Sequence, residues 1–180
     1  MKRTLVIHPQ DGSTDFLHSI YENIPFCKVI KKGTKTEVDN EIKTHDRIIM
    51  MGHGTPYGLM SVGNFGLCSN IIDKTTVPLL KDKECIFIWC NANIFVEYFR
   101  LKGFYSGMFV SEVGESIYCG VPSSQEDVDF SNKLFSELLG ECIVNNDLET
   151  IYNCVRDSYG KFSNTNNVVF YNQQRLYLQR

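Results

Sequence analysis

The sequence lacks the long apolar runs that mark membrane and exported proteins. No segment approaches the roughly 20 consecutive apolar residues that a membrane-spanning helix needs. The apolar stretch near the N-terminus, Thr4 to His8, is also far too short for the core of a signal peptide. Neither a membrane span nor an export signal is predicted, which favours a cytoplasmic protein.

An excess of positive charge is also missing. The formal net charge is −3 and the isoelectric point is about 5.8, so neither nucleic acid nor an anionic membrane is expected as a partner. The one basic cluster follows a predicted strand, and we interpret it as a solvated edge that resists pairing with other strands. It consists of Lys28, Lys31, Lys32 and Lys35.

The seven cysteines contain no Cys-x-x-Cys pair. Their odd number and irregular spacing argue against a complete disulfide scaffold and against a standard zinc site. We predict buried, reduced thiols at most of these positions, including Cys85, Cys119 and Cys142. No metal and no organic cofactor are expected.

The length and composition favour one ordinary globular domain. The chain has 180 residues, 43% of them hydrophobic and 22% charged. A domain of this size buries roughly 70% of the surface that its unfolded chain exposes, so a core can form without metal or cross-links. We predict a single domain over residues 1–180.

Short apolar runs alternate with segments of helical spacing. The predicted strands are Thr4 to His8, Phe26 to Ile30, Arg47 to Met51, Cys85 to Trp89, Tyr105 to Ser111, Ser116 to Val121 and an edge strand Val168 to Tyr171, with a glycine-containing hairpin over Tyr57 to Leu67. The predicted helices are one that begins after Asp11 and runs to Ile24, an internal one from Ala92 to Leu101, one from Val128 to Cys142, and one capped by Asp147 that reaches Tyr159.

This order of elements predicts the fold class. Ile48 to Met51 is continuously apolar, which is typical of a strand that is covered on both faces of a parallel sheet. Alternating strands and helices predict an α/β protein, a three-layer α/β/α sandwich whose mostly parallel sheet carries helices on both faces.

Two chemically useful side chains each follow a predicted buried strand. His53 comes directly after Arg47 to Met51 and Gly52, and Cys90 directly follows the strand that ends at Trp89. Functional groups gather at the carboxyl ends of parallel strands. A cysteine acts as a nucleophile when an imidazole takes its proton, and the backbone N–H groups of Gly54 and Cys90 could then bind the oxyanion.

These segments resemble the caspase-like cysteine peptidases, which include caspases, metacaspases, clostripain, gingipains, legumain and separase. The resemblance is carried by Ile48-Ile49-Met50-Met51-Gly52-His53-Gly54 and by Cys85-Ile86-Phe87-Ile88-Trp89-Cys90. In that family a His-Gly pair ends one parallel strand and a Cys ends its neighbour, with a hairpin and a helix between them. The resemblance in element order spans Thr4 to about Leu139 and implies a caspase-like endopeptidase with a His53–Cys90 dyad and no cofactor.

The sequence around Cys90 departs from the family's motifs. Trp89 stands where a small or polar residue is common, and Cys90-Asn91-Ala92-Asn93 matches neither the Gln-Ala-Cys-x-Gly of caspases nor the Cys-His-Ser-Gly of metacaspases. An alternative therefore stays open: a catalytically inactive caspase-like domain that binds a protein or peptide through the same cleft.

The resemblance also implies where a substrate side chain would be recognised. The pocket would draw on the loop after the first strand, which contains Asp11, and on the segment near Ser111, Glu112 and Glu115. An acid there would pair with a basic substrate side chain, which predicts cleavage after Arg or Lys. Asp11 is equally the residue that a turn before a helix would use.

Two weaker alternatives concern small ligands. A flavodoxin-like domain could grip a phosphate with the loop Gln10 to Thr14, and a metal could bind His53, Cys90 and a carboxylate. A dinucleotide site at Gly52-His53-Gly54 is disfavoured because Pro56 and a predicted hairpin follow instead of a helix.

Overall fold

A mixed six-stranded sheet forms the centre of the protein, in a computed structural model that describes residues 2–62 and 69–180. The strands in chain order are β1 (Thr4–Ile7), β2 (Lys28–Ile30), β3 (Arg47–Met51), β4 (Gly54–Thr55), β5 (Gly58–Met60), β6 (Asn70–Ile72), β7 (Glu84–Ile88), β8 (Gly103–Ser106) and β9 (Leu176–Gln179). The main sheet has the order β2-β1-β3-β7-β8-β9, in which only β9 is antiparallel to its neighbour. The strands β4, β5 and β6 form a separate antiparallel sheet.

Helices cover both faces of the main sheet. They are a 3₁₀ helix (Gly12–Ile20), α1 (Lys35–Thr44), α2 (Val77–Leu80), α3 (Ala92–Phe99), α4 (Val113–Tyr118), α5 (Gln125–Ile143), α6 (Leu148–Gly160) and α7 (Asn167–Gln173). One core lies between the sheet and α1, α2 and α3. The other lies between the sheet and the 3₁₀ helix, α5, α6 and α7. The fold is the three-layer α/β/α sandwich that the sequence predicts.

The strand β3 shows why this sequence folds into a two-sided sheet. Ile48 and Met50 pack into the core with α1, whereas Ile49 and Met51 pack into the core with α5 and α6. All four side chains are fully buried. The alternation of side chains along a strand sends neighbours to opposite faces, so a strand covered on both sides needs a continuous apolar run.

Two predicted strands in the second half of the chain are wrong. The first half of the segment Ser116 to Val121 belongs to the helix α4, which ends at Tyr118, and Val168 to Tyr171 lies inside α7. In both cases a cap outweighs the strand preference of β-branched and aromatic residues, because Glu112 with Glu115 caps α4 and Asn166 caps α7. One edge strand of the main sheet is instead β9, in a segment for which no strand was predicted.

The helix α1 was missed. Its sequence is mostly polar, with only Val38 and Ile42 buried, but Thr34 and Glu37 form a capping box that marks its start. Lys35 is therefore the first helical residue rather than part of a strand edge, and its Nζ contacts the carboxylate of Asp73 at 3.2 Å.

The helix α3 is more exposed than its apolar sequence suggests. Phe95 and Val96 are buried in the core, but Tyr98 is 79% exposed and Ile94 is 47% exposed. The prediction of an internal helix is therefore wrong for one face of α3.

The hairpin prediction is confirmed in part. β4 and β5 pair across the turn Pro56-Tyr57, which starts earlier than predicted, while Gly63, Gly66 and Leu67 lie outside the described residues.

The cysteine prediction needs two corrections. Among the described free thiols only Cys85 is buried, whereas Cys119, which was also expected to be buried, is partly exposed. Cys142 is not a free thiol, because it forms a disulfide with Cys154 that links α5 to α6. The described free thiols are Cys27, Cys85, Cys90 and Cys119, and Cys68 lies outside the described residues.

Candidate functional site

The sheet brings His53 and Cys90 to the same edge and the same face. Met51 of β3 lies opposite Ile88 of β7, and His53 and Cys90 each follow two residues later. Both residues line one small pocket of about 30 Å³, about the size that holds one water molecule.

A sharp turn after β3 presents the His53 side chain. Gly52 has φ +137°, a conformation that residues with a side chain rarely adopt, and its N–H donates to the Ile88 carbonyl at 3.1 Å. The carbonyl of His53 accepts from Met60 N–H at 2.8 Å, which ties the turn to the hairpin. The ring is 36% exposed.

The Nε2 atom of His53 meets two polar groups from the loop after β1. The distances are 2.7 Å to Ser13 Oγ and 3.2 Å to Asp11 Oδ2. Asp11 is also the N-cap of the 3₁₀ helix, where Oδ1 accepts from the N–H groups of Ser13 and Thr14. Burial opposes ionisation of Asp11, but these hydrogen bonds and the charge of His53 outweigh it and hold its pKa below the ordinary value.

The Cys90 thiol lies in a more buried setting. Its Sγ is 3.6 Å from the carbonyl oxygen of Phe109 and 3.9 Å from Oε1 of Glu115. Burial, reinforced by the negative charge of Glu115, raises the pKa of the Cys90 thiol to about 12. In this conformation Cys90 is therefore a protonated donor rather than a thiolate.

Glu115 connects the thiol to the segment after β8. Its Oε2 accepts from the Ser111 N–H at 2.7 Å, from the Ser111 hydroxyl at 3.0 Å and from the Glu112 N–H at 3.2 Å. Sequence reasoning placed Glu115 near a substrate pocket and missed its contact with Cys90. The capping pattern Glu112 to Glu115 was a visible signal for its orientation, since a residue at the third helical position turns back towards the cap.

Trp89 packs beneath the site and also forms part of the wall of the small pocket. It is 2% exposed, stacks edge-on with Phe87 and Phe95, and donates from Nε1 to the Thr55 carbonyl at 3.2 Å. A Cβ on Gly54 would lie 2.1 Å from Trp89 Cδ1. Gly54 is therefore required by this packing, whatever its role towards a substrate.

The backbone N–H groups of Gly54 and Cys90, which are expected to bind an oxyanion, have different hydrogen-bonding surroundings. The Met60 N–H to His53 carbonyl bond makes Gly54 and Leu59 a pair without mutual hydrogen bonds, so the Gly54 N–H points away from β5. Within residues 2–62 and 69–180, no backbone acceptor is found for the Cys90 N–H.

A larger cavity of about 470 Å³ adjoins the small pocket, with Phe16 and Ser111 lining both. Ser111 and Glu112 lie in its wall, as do Gly12 and Ser13 from the loop after β1. Asp11 is not part of the lining. Sequence reasoning missed the acid Asp129 and Asn132, both from α5.

The side-chain oxygen of Asn132 is a buried hydrogen-bond acceptor beside this cavity. The Nδ2 of the same side chain donates to the Ser111 carbonyl at 2.8 Å, and its buried Oδ1 has no partner among the described residues.

The small-ligand alternatives gain no support in the described part of the chain. The amides of Ser13 and Thr14, which a phosphate would need, are already used by Asp11. Residues 2–62 and 69–180 hold no cluster of three metal-binding side chains.

No helix within residues 2–62 and 69–180 is both long enough and apolar enough to span a bilayer.

Comparisons with known proteins assign no family. No family model matches the chain, and no curated protein matches it.

Proposed function

We propose that the chain is a caspase-like cysteine endopeptidase in which Cys90 attacks the peptide carbonyl and His53 transfers the proton. The observation that carries the proposal is that His53 and Cys90 line the same pocket, just beyond the carboxyl ends of β3 and β7. The family resemblance of the two strand-end segments points to the same chemistry.

The reaction needs only groups that this chain supplies. The Cys90 sulfur bonds to the scissile carbon as its proton passes to His53, and the tetrahedral oxygen is held by the N–H groups of Gly54 and Cys90. The C–N bond then breaks as His53 gives the proton to the leaving amine. Water hydrolyses the thioester with His53 as base, which restores the thiol and releases the acid.

The resting site holds the nucleophile in its protonated form. A thiol with a pKa of about 12 has almost no thiolate at neutral pH, so proton transfer must accompany attack. The pocket is large enough for one water to relay a proton, and hydrogen bonds of catalytic groups are often loose in free enzymes. Binding of substrate would tighten this arrangement.

The adjoining cavity favours a basic substrate side chain. Glu112 and Asp129 line it, and neither has a salt bridge with any described residue. Asp129 Oδ1 accepts from the Gln125 amide at 2.8 Å, but neither carboxylate has a cationic partner among the described residues, and such carboxylates beside a cavity attract guanidinium or ammonium groups. Cleavage after Arg or Lys is therefore part of the proposal.

The test is hydrolysis of fluorogenic peptides that end in Arg, Lys or Asp before the reporter. We expect turnover of the basic peptides, and a loss of at least about 10³-fold in Cys90→Ala and in His53→Ala. Cys119→Ala is the matched control, because Cys119 is another free thiol that plays no part in the reaction.

Equal activity of the native chain and both site variants would remove the peptidase proposal. Faster turnover of the Asp-ended peptide than of the basic ones would instead remove the substrate preference alone.

A second candidate is a non-catalytic domain that binds a peptide in the same cleft. It is favoured by the raised pKa of Cys90 and by the small volume beside the thiol. A peptide-like electrophile separates the two, since an enzyme labels at Cys90 in a His53-dependent way, whereas a binding domain leaves Cys90 unlabelled.

We also propose a cytoplasmic location. Four described cysteines are free thiols, which suits a reducing compartment. The Cys142–Cys154 disulfide argues in the other direction, because such bonds persist mainly in oxidising compartments.

A further inference from the structure

A closed set of polar contacts lies beside the pocket, and the proposed reaction does not use it. Ser13 Oγ is 2.8 Å from Asp11 Oδ1 and 2.7 Å from His53 Nε2, and Nε2 is 3.2 Å from Asp11 Oδ2. Each of the three side chains therefore contacts the other two.

Counting protons gives this cluster one consistent arrangement. The Asp11 carboxylate has no proton to give, so the Ser13 hydroxyl donates to Oδ1. Ser13 Oγ must then accept from His53, which requires a proton on Nε2, and the same N–H faces Asp11 Oδ2. In the reverse assignment, Ser13 would donate its proton to an unprotonated Nε2 of His53. Two contacts would then join acceptors with no proton between them, namely Nε2 with Asp11 Oδ2 and Ser13 Oγ with Asp11 Oδ1.

We propose that Asp11 and Ser13 are positioning residues, which orient the His53 ring with a proton on Nε2 and leave Nδ1 as the atom that exchanges a proton with Cys90. No described residue forms a hydrogen bond with Nδ1. The orientation of a catalytic base by a third polar group is a general requirement of such sites. The base role of Nδ1 rests on the proposed peptidase function, whereas the position of the proton does not.

The local backbone holds Asp11 in place for this role. The Asp11 N–H donates to Thr14 Oγ1 at 3.1 Å, and the N–H groups of Ser13 and Thr14 return hydrogen bonds to Oδ1 at 3.1 and 3.2 Å. The low pKa of Asp11 keeps the carboxylate ionised at neutral pH. Asp11 thereby acts on His53 as a fixed charge rather than as the wall of a substrate pocket.

The experiment reads the proton on the ring directly. The full chain, labelled with ¹⁵N at its histidine rings, is compared by NMR near neutral pH with Asp11→Asn and Ser13→Ala, and the signals of His53 are assigned with His53→Gln. We expect the Nε2–H form to dominate in the native chain. Both variants should shift the population towards the Nδ1–H form.

The Asp11→Asn substitution is chosen because asparagine caps helices about as well as aspartate. Its matched control is Asp147→Asn, at the N-cap of α6, where the side chain accepts from the Thr150 N–H at 2.8 Å and has no histidine partner. This control should leave the His53 signals unchanged. Ser13→Thr, which keeps the hydroxyl, should restore the native signals.

Kinetics provide a second readout that a purely structural role would not give. We expect kcat for the basic peptide to fall about 10-fold to 100-fold in Asp11→Asn, with KM nearly unchanged. A variant that lost a substrate contact would instead raise KM.

Two results would overturn the positioning proposal. One is a native chain whose His53 carries its proton on Nδ1, and the other is an identical ring proton position in the native chain, Asp11→Asn and Ser13→Ala. The expected ring signals in a chain without peptidase activity would support the positioning role and remove the proposed function, so the two failures are distinguishable.

Discussion

The two halves of the site have the same strand-end position but opposite chemical surroundings. On one half, the His53 ring is 36% exposed and contacts a carboxylate and a hydroxyl from the loop after β1. On the other half, the Cys90 thiol is largely buried against the Phe109 carbonyl and the Glu115 carboxylate. The hydrogen bonds of the polar half favour the ionised form of Asp11, whereas burial in the other half opposes ionisation of the Cys90 thiol.

The position of His53 and Cys90 and their protonation depend on different parts of the molecule. Parallel strand pairing places both side chains within one pocket, and that placement depends on main-chain geometry. Protonation depends on the segments that pack over the strand ends, namely the loop after β1 for His53 and the segment before α4 for Cys90. Substitutions in each half test this difference, beginning with those whose expected effect is largest.

The contact between Trp89 and Gly54 joins the two halves. Trp89→Ala should lower the free energy of unfolding by about 3 to 5 kcal/mol, because it removes a large buried side chain. Gly54→Ala should lower it by about 1 to 3 kcal/mol, because the added methyl group overlaps Trp89. In the double variant the alanine at position 54 should cost less than in the single variant, because the closest obstacles, Cδ1 and Cγ of Trp89, are gone and only the Cβ at 2.8 Å remains.

Urea unfolding of the four chains measures this coupling. Gly114→Ala is the matched control, because a Cβ at Gly114 meets nothing within 4 Å. Strict additivity of the two losses would show that Trp89 is not the reason for the glycine.

The segment after β1, which also contains Asp11 and Ser13, should be sensitive to acid through His8. This residue is fully buried after β1, with Nδ1 3.0 Å from the Tyr21 hydroxyl, and burial lowers its pKa from 6.5 to about 4. Between these pH values the unfolded chain binds a proton that the folded chain does not. The free energy of unfolding should therefore fall by about 3 kcal/mol as the pH drops from 6.5 to 4.

The measurement is urea unfolding at several pH values for the native chain and for His8→Asn, whose amide can replace Nδ1 but does not titrate. The variant should lose that part of the pH dependence. Parallel curves for the two chains would refute the assignment to His8.

The buried half should respond to removal of the Glu115 charge. Glu115→Gln keeps an oxygen for the Ser111 and Glu112 hydrogen bonds but removes the charge that helps to raise the pKa of Cys90. Alkylation of Cys90 by iodoacetamide should speed up by as much as tenfold, the change that one pKa unit produces. Burial is the larger cause, so the rate should stay far below that of an exposed thiol.

Mass spectrometry of the Cys90 peptide gives the rate, and Glu112→Gln serves as control because Glu112 forms no contact with the sulfur. Slower alkylation in Glu115→Gln would mean that Glu115 accepts the thiol proton instead of opposing its loss.

Much of the fold was predictable because its central strands carry an unambiguous pattern. The boundaries of β3 were predicted correctly, and β1 and β7 within one residue at each end, since a continuous apolar run between polar turns admits few alternatives. The helix α1 and the helix α7 were not predicted, because the first buries only two side chains and the second is rich in β-branched residues. Their caps at Thr34 and Asn166 were the available signals.

The candidate site was predictable in its position and not in its contacts. His53 and Cys90 could be identified because each follows a buried strand. Glu115 escaped notice as a neighbour of the thiol, since its approach to Cys90 depends on the chain turning into α4 instead of continuing as a strand. Asp11 had been considered for a substrate pocket or a turn, and its distance to His53 depends on two loops that are 40 residues apart.

The α/β class, the buried strands and the two residues that follow them can be predicted from the order of the amino acids, because side-chain alternation and apolar runs are local properties of the chain. The surroundings of His53 and Cys90 depend instead on the folded chain. Packing between distant segments set the burial of the thiol, the carboxylate beside it and the polar contacts of the imidazole. Protonation follows from those surroundings, and the reactivity of the strand-end pair therefore depends on the segments folded against it.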